Sequence, residues 1–373
     1  MTRCRLRYSM TSKTTVVALA VIVGLFAAGG ANAQPDLLDA GQFNEDLNHL
    51  TAAPHRLAGS PEAKRAVNYI ETRLRGMGIE ELYTVHMPVW QLTNDMCELH
   101  IGEKTIPLSP MRPNLSVPPA TPEAGLSGPL LYVGKGGIED YGDVSPEDAI
   151  VMLDYDCFAN WETAFSLGAK AVIFVGDGTE TPREPHHTEL PVNLVRLYAD
   201  RGDIGSLDPG VVHEKATVYS DIEWRQEHDR NLIVRIPGTN PVLAETAKGP
   251  EALVLAASYD TYGMVPHRSP GARRAANVAA LLGAASYFQE NPLPRHLILM
   301  FLGNRAHNHQ GAREIYDKLL MPQEKHNQLI DAHQTEHDTF IDVHELLTVD
   351  GLAYDKEKEA AEPLREMVRY QTQ

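Results

Sequence analysis

Three ionisable residues in the second half of the sequence stand within or just after short apolar segments: Asp260, Arg305 and Asp342. The apolar segments are residues 253–257, 297–302 and 339–343. A carboxylate in such a place can bind a metal ion or act as a general base in hydrolysis. The guanidinium of Arg305 is always cationic, and at about 4 Å it opposes another unit positive charge by about 4 kcal/mol. These three residues are therefore candidates for a polar site.

A second candidate for metal chemistry is the pattern His333-Gln334-Thr335-Glu336-His337. Two histidines one helical turn apart can share a metal ion while the glutamate acts as a general base. No third ligand is recognisable in the 36 residues that follow, and a chain with 16 histidines contains such a match by chance often enough. His333 and His337 are therefore a weak alternative metal site. We expect the other histidine clusters, at 186–187 and 307–309, to be solvated.

The order of predicted strands and helices from residue 231 onward indicates the fold that would position these residues. Apolar strands are predicted at 232–236, 253–257, 297–302 and 339–343, and a helix at 275–288. Continuous apolar strands that alternate with helices predict an α/β fold, with a mainly parallel sheet and helices on both faces. Active sites in such sheets lie at the carboxyl ends of the strands. The residues that follow Leu255 and Phe301 are therefore the predicted site.

The sequence before residue 231 falls into two parts. Ser60-Pro61-Glu62 predicts a helix start, with Ser60 as the N-cap and an apolar face that continues to Leu74. A proline-rich stretch at 107–122 then predicts a linker. Between residues 125 and 220, short apolar strands and one helix at 158–167 predict a compact β-rich module.

The first 33 residues have the composition of a secretory signal peptide. They carry four basic residues and no acid, then an apolar run from Thr14 to Ala28 and the small-residue site Ala31-Asn32-Ala33. Because the run is short for a bilayer span of about 20 residues, we expect cleavage, export to the periplasm or the extracellular space, and no membrane span in the mature chain. The formal net charge of −17 argues against nucleic acid as a partner, since such a surface repels phosphates.

Two of the three cysteines, Cys97 and Cys157, lie beyond the predicted signal peptide. Two cysteines are too few for a disulfide framework, although export permits one bond. They can pair only if the fold brings them together, so the sequence leaves both outcomes open.

Part of the β-rich module resembles the protease-associated domain that is inserted in many exported peptidases. The resemblance rests on residues 149–154, 161–164 and 168–174. It implies four divisions of the chain: a signal peptide at 1–33, the N-terminal part of a peptidase-like domain at 34–110, a protease-associated domain at 123–222, and an α/β peptidase-like domain at 228–373. We expect the inserted domain to fold independently, because few contacts should cross its boundaries.

Five further segments resemble the co-catalytic zinc aminopeptidase and carboxypeptidase family, peptidase clan MH, which includes leucyl aminopeptidases and glutamate carboxypeptidase. The segments are residues 55–60, 231–239, 257–260, 278–282 and 311–313. The resemblance implies two zinc ions that clamp the scissile carbonyl and an attacking water. It also implies metal ligands at strand ends and a free carboxylate as the general base.

The metal-site positions of that family are largely substituted in this chain. Ser258 stands where the family has a histidine ligand, Arg273-Arg274 where it has the bridging aspartate and an asparagine, and Arg305-Ala306 where it has two glutamates. Asp260 matches the aspartate that orients the lost histidine, and Asp342 matches a later aspartate ligand. The resemblance therefore leaves Asp260 and Arg305 as vestigial catalytic positions. The vestigial metal positions are Ser258, Arg273, Ala306 and Asp342.

These substitutions predict an exported binding or scaffold protein that lacks catalysis and a cofactor, with a protein or peptide as its partner. The alternative is an active zinc-dependent exopeptidase, whose cofactor is zinc. We further predict that Arg305, with Arg273, lies between Asp260 and Asp342 in place of the zinc pair. The alternative is that these arginines face solvent.

Overall fold

The computed structural model describes residues 38–178, 193–240 and 252–317. Several predictions from the sequence concern residues outside these ranges: the signal peptide, the pair His186-His187, the pair His333 and His337, and Asp342 with its strand. None of the helices in the described residues combines the length and the apolar composition needed to cross a membrane.

The described strands and helices follow one another in a mixed order. The strands are β1 Leu82–Leu92, β2 Met96–Ile101, β3 Lys104–Pro107, β4 Ser109–Pro110, β5 Leu126–Tyr132, β6 Ile150–Asp154, β7 Ala171–Gly176, β8 Val195–Asp200, β9 Val212–Asp221, β10 Trp224–Ile236, β11 Ala252–Ser258 and β12 His296–Leu302. The α-helices are α1 Ala40–Thr51, α2 Pro61–Gly76, α3 Asn160–Ser166, α4 Arg201–Ile204, α5 Ala272–Glu290 and α6 Gln310–Ile315.

The helix predicted after Ser60 is confirmed as α2. The Ser60 side chain accepts a hydrogen bond from the Ala63 amide, and Pro61 occupies the first turn, where its missing N–H costs nothing. The apolar face of the helix is buried as far as Leu74. The helix predicted at 275–288 is likewise confirmed as α5, and the helix predicted at 158–167 as α3.

A four-stranded sheet in the order β1-β10-β12-β11 carries the predicted site. This sheet is mixed, which corrects the prediction of a mainly parallel one. Only β11 and β12 run parallel, because α5 supplies the crossover that a parallel pair needs. Strand β10 pairs antiparallel with β12 and, over residues 224–234, with β1, which comes from far upstream in the chain.

Helices cover both faces of the four-stranded sheet. Alternate residues of β10, such as Leu232 and Val234, pack with α1, α2 and α5 in the largest buried cluster. The intervening Ile233 packs on the other face with Ile298 and with Ile315 of α6. The two-residue period of the strands thus divides one apolar run between two layers.

The second sheet has eight strands in the order β3-β2-β9-β5-β6-β7-β8-β4. It is also mixed, with β5, β6, β7 and β8 parallel and the outer pairings antiparallel. The short apolar strands predicted between residues 125 and 220 are confirmed, among them β5, β6 and β7.

Strands β2, β3 and β4 belong to the eight-stranded sheet, although they precede the proline-rich stretch at 107–122. The chain enters and leaves this sheet at one place, where the Thr93 amide donates to the Glu223 carbonyl at 2.9 Å and the Glu223 amide donates to Thr93 Oγ1 at 3.0 Å. The region that shares this sheet is therefore residues 93–223 rather than 123–222.

Cys97 and Cys157 are both free thiols, and both are buried. They pack in different clusters of the eight-stranded sheet region. Burial raises the pKa of each thiol to about 12. The open question of pairing is thus decided by the fold, which does not bring the two sulfurs together.

Candidate functional site

The carboxyl ends of β11 and β12 meet at one edge of the four-stranded sheet. The two strands run in parallel register, with Ser258 opposite Leu302, and the Tyr259 amide donates to the Leu302 carbonyl at 3.0 Å. This register brings Asp260 beside the turn that follows β12. The Ala306 amide donates to Asp260 Oδ2 at 3.3 Å. Asp260 and Ala306, two positions singled out from the sequence, are therefore neighbours.

Asp260 is fully buried, and its nearest cation is Arg274. Arg274 Nη1 lies 3.6 Å from Asp260 Oδ2 and donates to the Asp260 carbonyl at 3.1 Å. Burial lowers the pKa of Arg274, and the positive charge of Arg305 adds to this, while Asp260 acts in the opposite direction. The other carboxylate oxygen, Oδ1, makes no hydrogen bond within the described residues.

A second guanidinium, that of Arg56, is fully buried on the same side. Arg56 Nε donates to the Tyr259 carbonyl at 2.7 Å, and Nη1 donates to the carbonyls of Pro270 at 2.6 Å and of Leu50. Burial lowers the pKa of Arg56 to about 10, although the nearby Asp260 opposes this shift. Arg56 therefore joins the N-terminal segment to the two chain segments that flank Asp260.

The positions of the arginines correct the prediction about the zinc substitute. Arg273 and Arg305 are both exposed, and it is Arg274 that pairs with Asp260. Consecutive residues of a helix point about 100° apart, so in the first turn of α5 only one of Arg273 and Arg274 can face Asp260. Arg305 follows Asn304, whose left-handed backbone (φ 49°) turns the chain away from the strand direction. Asp342 lies outside the described residues.

Tyr259 points away from the site, into the core behind it. Its hydroxyl donates to Asp229 and lies 2.7 Å from the Arg230 carbonyl. Asp229 Oδ2 also accepts from the Gly59 amide at 3.2 Å. Burial raises the pKa of both Tyr259 and Asp229. The hydrogen bonds that Tyr259 makes with Asp229 and Arg230 therefore hold the chain after β11 in place relative to β10.

A small open cleft lies beside Asp260. Its lining residues come from the segment before α2, from β1 and from the two strand ends: Leu57, Ala58, Trp90, Leu92, Thr261, Tyr262, Asn304, Ala306 and His307. Trp90 and Leu92 are two residues apart on β1 and share one face. The cleft is thus built by residues far apart in sequence.

His307 is part of this cleft rather than solvated, which corrects the expectation for the cluster at 307–309. Its ring lies 5.4 Å from the ring of Trp224 and 5.6 Å from that of Tyr262. Burial is the main cause that lowers the pKa of His307, so the ring is neutral at pH 7. Both ring nitrogens, and Asn304 Oδ1, are shielded from solvent without a hydrogen bond in the described part of the chain.

The described residues of the site do not fit a pair of zinc ions. No group of three or more His, Cys, Asp and Glu side chains in residues 38–178, 193–240 and 252–317 could hold a metal ion. A buried guanidinium group, that of Arg56, and a partly buried one, that of Arg274, lie close to Asp260. Zinc sites need several N, O or S ligands, whereas this site offers one carboxylate among cations.

Several residues of the site could not be found from sequence. In the sequence, Arg56 has no role beyond its place in the segment 55–60. The signal that could have found it is its charge directly before the apolar residues Leu57 and Ala58.

Comparisons with known proteins show the fold. No protein-family model matches this sequence, and no curated protein matches it. The structure is similar to a zinc aminopeptidase from Bacillus subtilis, with a TM-score of 0.50 and 18% identity over 71% of this chain and 61% of that chain. It is also similar to a peptidase M28 precursor from Shewanella amazonensis (TM-score 0.49, 17% identity, 83% of this chain and 78% of that one) and to an aminopeptidase from Aneurinibacillus sp. strain AM-1 (0.42, 21%, 74% and 65%).

The chain spans about 61% of the length of the Bacillus subtilis enzyme that it resembles. At 18% identity this likeness concerns the fold, so the chain has the mixed α/β fold of a zinc aminopeptidase. The resemblance noted in the sequence is supported to that extent.

Proposed function

We propose that this chain is an exported, zinc-aminopeptidase-like protein that binds or organises a partner and does not hydrolyse peptides through zinc. The observation that carries the proposal is the ion pair between Arg274 and the buried Asp260, at 3.6 Å. Asp260, the carboxylate that follows β11, already has Arg274 as its partner.

Electrostatics supports this proposal more strongly than the count of lost ligands. Like unit charges about 4 Å apart repel by about 4 kcal/mol at an effective dielectric constant near 20, and a divalent ion doubles this. Arg274 keeps its charge, because its guanidinium remains protonated at any physiological pH. A zinc ion bound next to Asp260 would lie close to this positive charge.

The alternative function is an active zinc-dependent exopeptidase. Two observations favour it: the fold is that of a zinc aminopeptidase, and Asp260 is retained with Oδ1 unpartnered among the described residues. In that case Asp342, or the pair His333 and His337, would have to supply ligands.

Metal content and turnover separate the two functions. The purified full chain is incubated with zinc, dialysed and analysed for metal, and it is then assayed for release of leucine from a leucyl tetrapeptide. We expect far less than one zinc per chain and no leucine release. Close to two zinc ions per chain, with release that is abolished in Asp260→Asn, would establish the enzyme instead.

The proposal includes export, with the partner a protein or a peptide. The region 93–223 is proposed to be a protease-associated-like insert, supported by its own sheet and by the adjacent entry and exit of the chain at Thr93 and Glu223. N-terminal sequencing of secreted material tests export and cleavage after Ala33.

A further inference from the structure

Several arginines surround the buried carboxylate at the strand ends. Arg56 and Arg274 both lie near Asp260, and Arg305 directly precedes Ala306, whose amide donates to Asp260 Oδ2 at 3.3 Å. Burial lowers the pKa of Arg274, and the positive charge of Arg305 adds to this shift, so the two guanidinium groups are close enough to repel each other. This edge of the sheet therefore carries more positive than negative charge.

The guanidinium of Arg305 is open to solvent. Its side chain is exposed and makes no hydrogen bond or ion pair with another residue that the structure describes. The Arg274 side chain is 25% exposed, and its Nη1 donates to the Asp260 carbonyl at 3.1 Å. The other nitrogens of Arg274 bind no described residue and are not shielded from solvent. A ligand at the surface can therefore reach N–H donors on both arginines.

The start of α5 has the same sign of charge. Its first turn contains Arg273 and Arg274 and no acidic residue, and its N-cap residue, Gly271, has no side chain to accept from the free amides. The Arg273 side chain is exposed and, like that of Arg305, has no partner among the described residues. Cations are unfavourable at this end of a helix, because the helix dipole is positive there. An anion supplied from outside would therefore stabilise this surface.

The carboxylates nearby are turned inward. Asp260 is fully buried beside the arginines, and Asp229 is buried behind Tyr259, from whose hydroxyl it accepts a hydrogen bond. The formal net charge of the chain is −17, but charges beyond about 8 Å are largely screened at physiological ionic strength. A short anionic ligand is thus attracted by the arginines, whereas a long polyanion such as nucleic acid also meets the acidic surface around them.

A carboxylate matches these donors in shape and charge. The planar fork of an arginine donates two parallel hydrogen bonds to one carboxylate, and the guanidinium keeps its charge at any physiological pH. Arg305 can bind one carboxylate in this way while Arg274 donates to the same group or to a second one. Exposed residues lie on both sides, Arg273 on α5 and Asn308 in the turn after β12. A ligand chain can therefore continue past the site in both directions, which favours acidic side chains over a chain end.

We infer that the arginine cluster, formed by Arg273, Arg274 and Arg305, binds acidic side chains of a polypeptide partner. The inference rests on the proposed function, in which the partner is a protein or a peptide. It deepens that function by naming the chemistry of the partner: a short segment that carries two or more glutamate or aspartate residues.

The test is binding of short peptides to the full-length protein, followed by isothermal titration calorimetry at about 50 mM and about 300 mM NaCl. The probe is a peptide of alternating alanine and glutamate that is blocked at both ends. A peptide with glutamine in place of glutamate is its neutral control. An alanine peptide with a free carboxyl end and an oligothymidylate represent the other sources of negative charge.

Two variants locate the binding. Arg305→Ala removes an exposed side chain that has no partner among the described residues, so the fold should tolerate its loss. Lys215→Ala is the matched control, because Lys215 is an exposed cation on β9 of the eight-stranded sheet. Both variants change the net charge by the same amount, so only their positions differ.

We expect the glutamate peptide to bind, more weakly at the higher salt concentration, and the glutamine peptide not to bind. Its affinity should fall at least about tenfold in Arg305→Ala, as for a charge-assisted hydrogen bond, and stay unchanged in Lys215→Ala. Equal binding of the glutamine peptide, an unchanged affinity in Arg305→Ala, or no binding at millimolar concentration would overturn the inference. So would binding through Arg305 of only the alanine peptide or only the oligothymidylate.

The proposed function and this inference can fail separately. If the protein lacks zinc and releases no leucine, and the glutamate peptide does not bind, the inference alone fails. If the protein holds zinc and releases leucine, the proposed function fails whatever the calorimetry shows.

Discussion

The parallel strands of both sheets end in charged residues, but the two sheets place those charges differently. At the ends of β6 and β8, Asp154 and Asp200 form ion pairs with arginines whose side chains are 46% and 37% exposed. Exposed pairs of this kind contribute about 0–1 kcal/mol each, because water competes for both charges. The strand ends of the eight-stranded sheet therefore have the character of an ordinary solvated surface.

At the ends of β11 and β12 the charges are buried. Asp260 and Arg56 are almost completely removed from solvent, and Arg56 makes its hydrogen bonds to backbone carbonyls. Burial of charge is costly unless each group is paired, so this arrangement persists only because the surrounding chain is held in place. The edge of a parallel sheet therefore does not by itself indicate a functional site. Buried charges and unpartnered polar atoms at such an edge do indicate one.

The largest expected effect concerns whether the region of the eight-stranded sheet folds when it is separated from the four-stranded sheet. The fragment 93–223 contains all the strands of the eight-stranded sheet, whereas 123–222 lacks β2, β3 and β4. The shorter fragment loses the buried side chains Leu99, Ile106 and Leu108, each of which contributes about 1.5–3 kcal/mol. We expect cooperative urea unfolding, followed by circular dichroism, for 93–223 and little fixed structure for 123–222. Equal stability of the two fragments would contradict this boundary.

The second prediction compares buried with exposed arginines. Arg56→Ala leaves the carbonyls of Leu50, Tyr259 and Pro270 without their donor and removes one of the two cations near Asp260, so we expect the free energy of unfolding to fall by about 3–5 kcal/mol. Arg201→Ala, which removes the exposed partner of Asp154 at the end of β6, should cost less than about 1 kcal/mol. Urea unfolding at pH 7 measures both. Similar costs for the two variants would remove the contrast between the two strand edges.

The third prediction is acid sensitivity centred on His267, which follows β11 and packs against the His55 ring at 5.3 Å. Burial is the main cause that lowers the pKa of His267 to about 4. Its unfolded value is about 6.5, so between pH 6.5 and 4 the unfolded state binds the proton more readily. The stability that depends on neutral His267 is thus fully present above pH 6.5. It decreases as the pH falls to about 4, by about 3 kcal/mol at most.

Urea unfolding of the wild type and of His267→Asn between pH 4 and 7.5 tests the third prediction. We expect the variant to have a flatter profile, because its side chain does not titrate. Profiles of equal slope would show that His267 is not the group responsible. Glu62, whose carboxylate lies 3.9 Å from His55, is left in place in both proteins.

The smallest expected effect distinguishes Arg274 from Arg305. Arg274 is a quarter exposed and pairs with the buried Asp260, so Arg274→Ala should cost about 1–2 kcal/mol, less than a fully buried pair because water screens one side. Arg305→Ala, on an exposed side chain, should change stability by less than about 0.5 kcal/mol. Thermal unfolding of the two variants in parallel provides the measurement. A larger loss of stability in Arg305→Ala than in Arg274→Ala would support the prediction from sequence that Arg305 is the partner of Asp260.

Local signals in the sequence predicted two of the helices correctly. The start of α2 followed from Ser60 and Pro61, and the helix α5 followed from its alanine-rich apolar period, because both signals are local. Strand directions did not follow, since β1 and β10 pair across more than a hundred residues of intervening chain. The partner of Asp260 is Arg274, whereas the sequence predicted Arg305 with Arg273, because the packing of a helix and of a turn decides which side chain faces a site.

What the sequence determined by itself is the position of its apolar segments and of the helix start at Ser60. Tertiary structure alone decided which cation reaches Asp260, that the thiols of Cys97 and Cys157 stay apart, and that His307 and Trp90 share a cleft. The reason is physical: local signals depend on neighbours within a turn or two, whereas burial and pairing depend on chain segments that meet only when the sheets close.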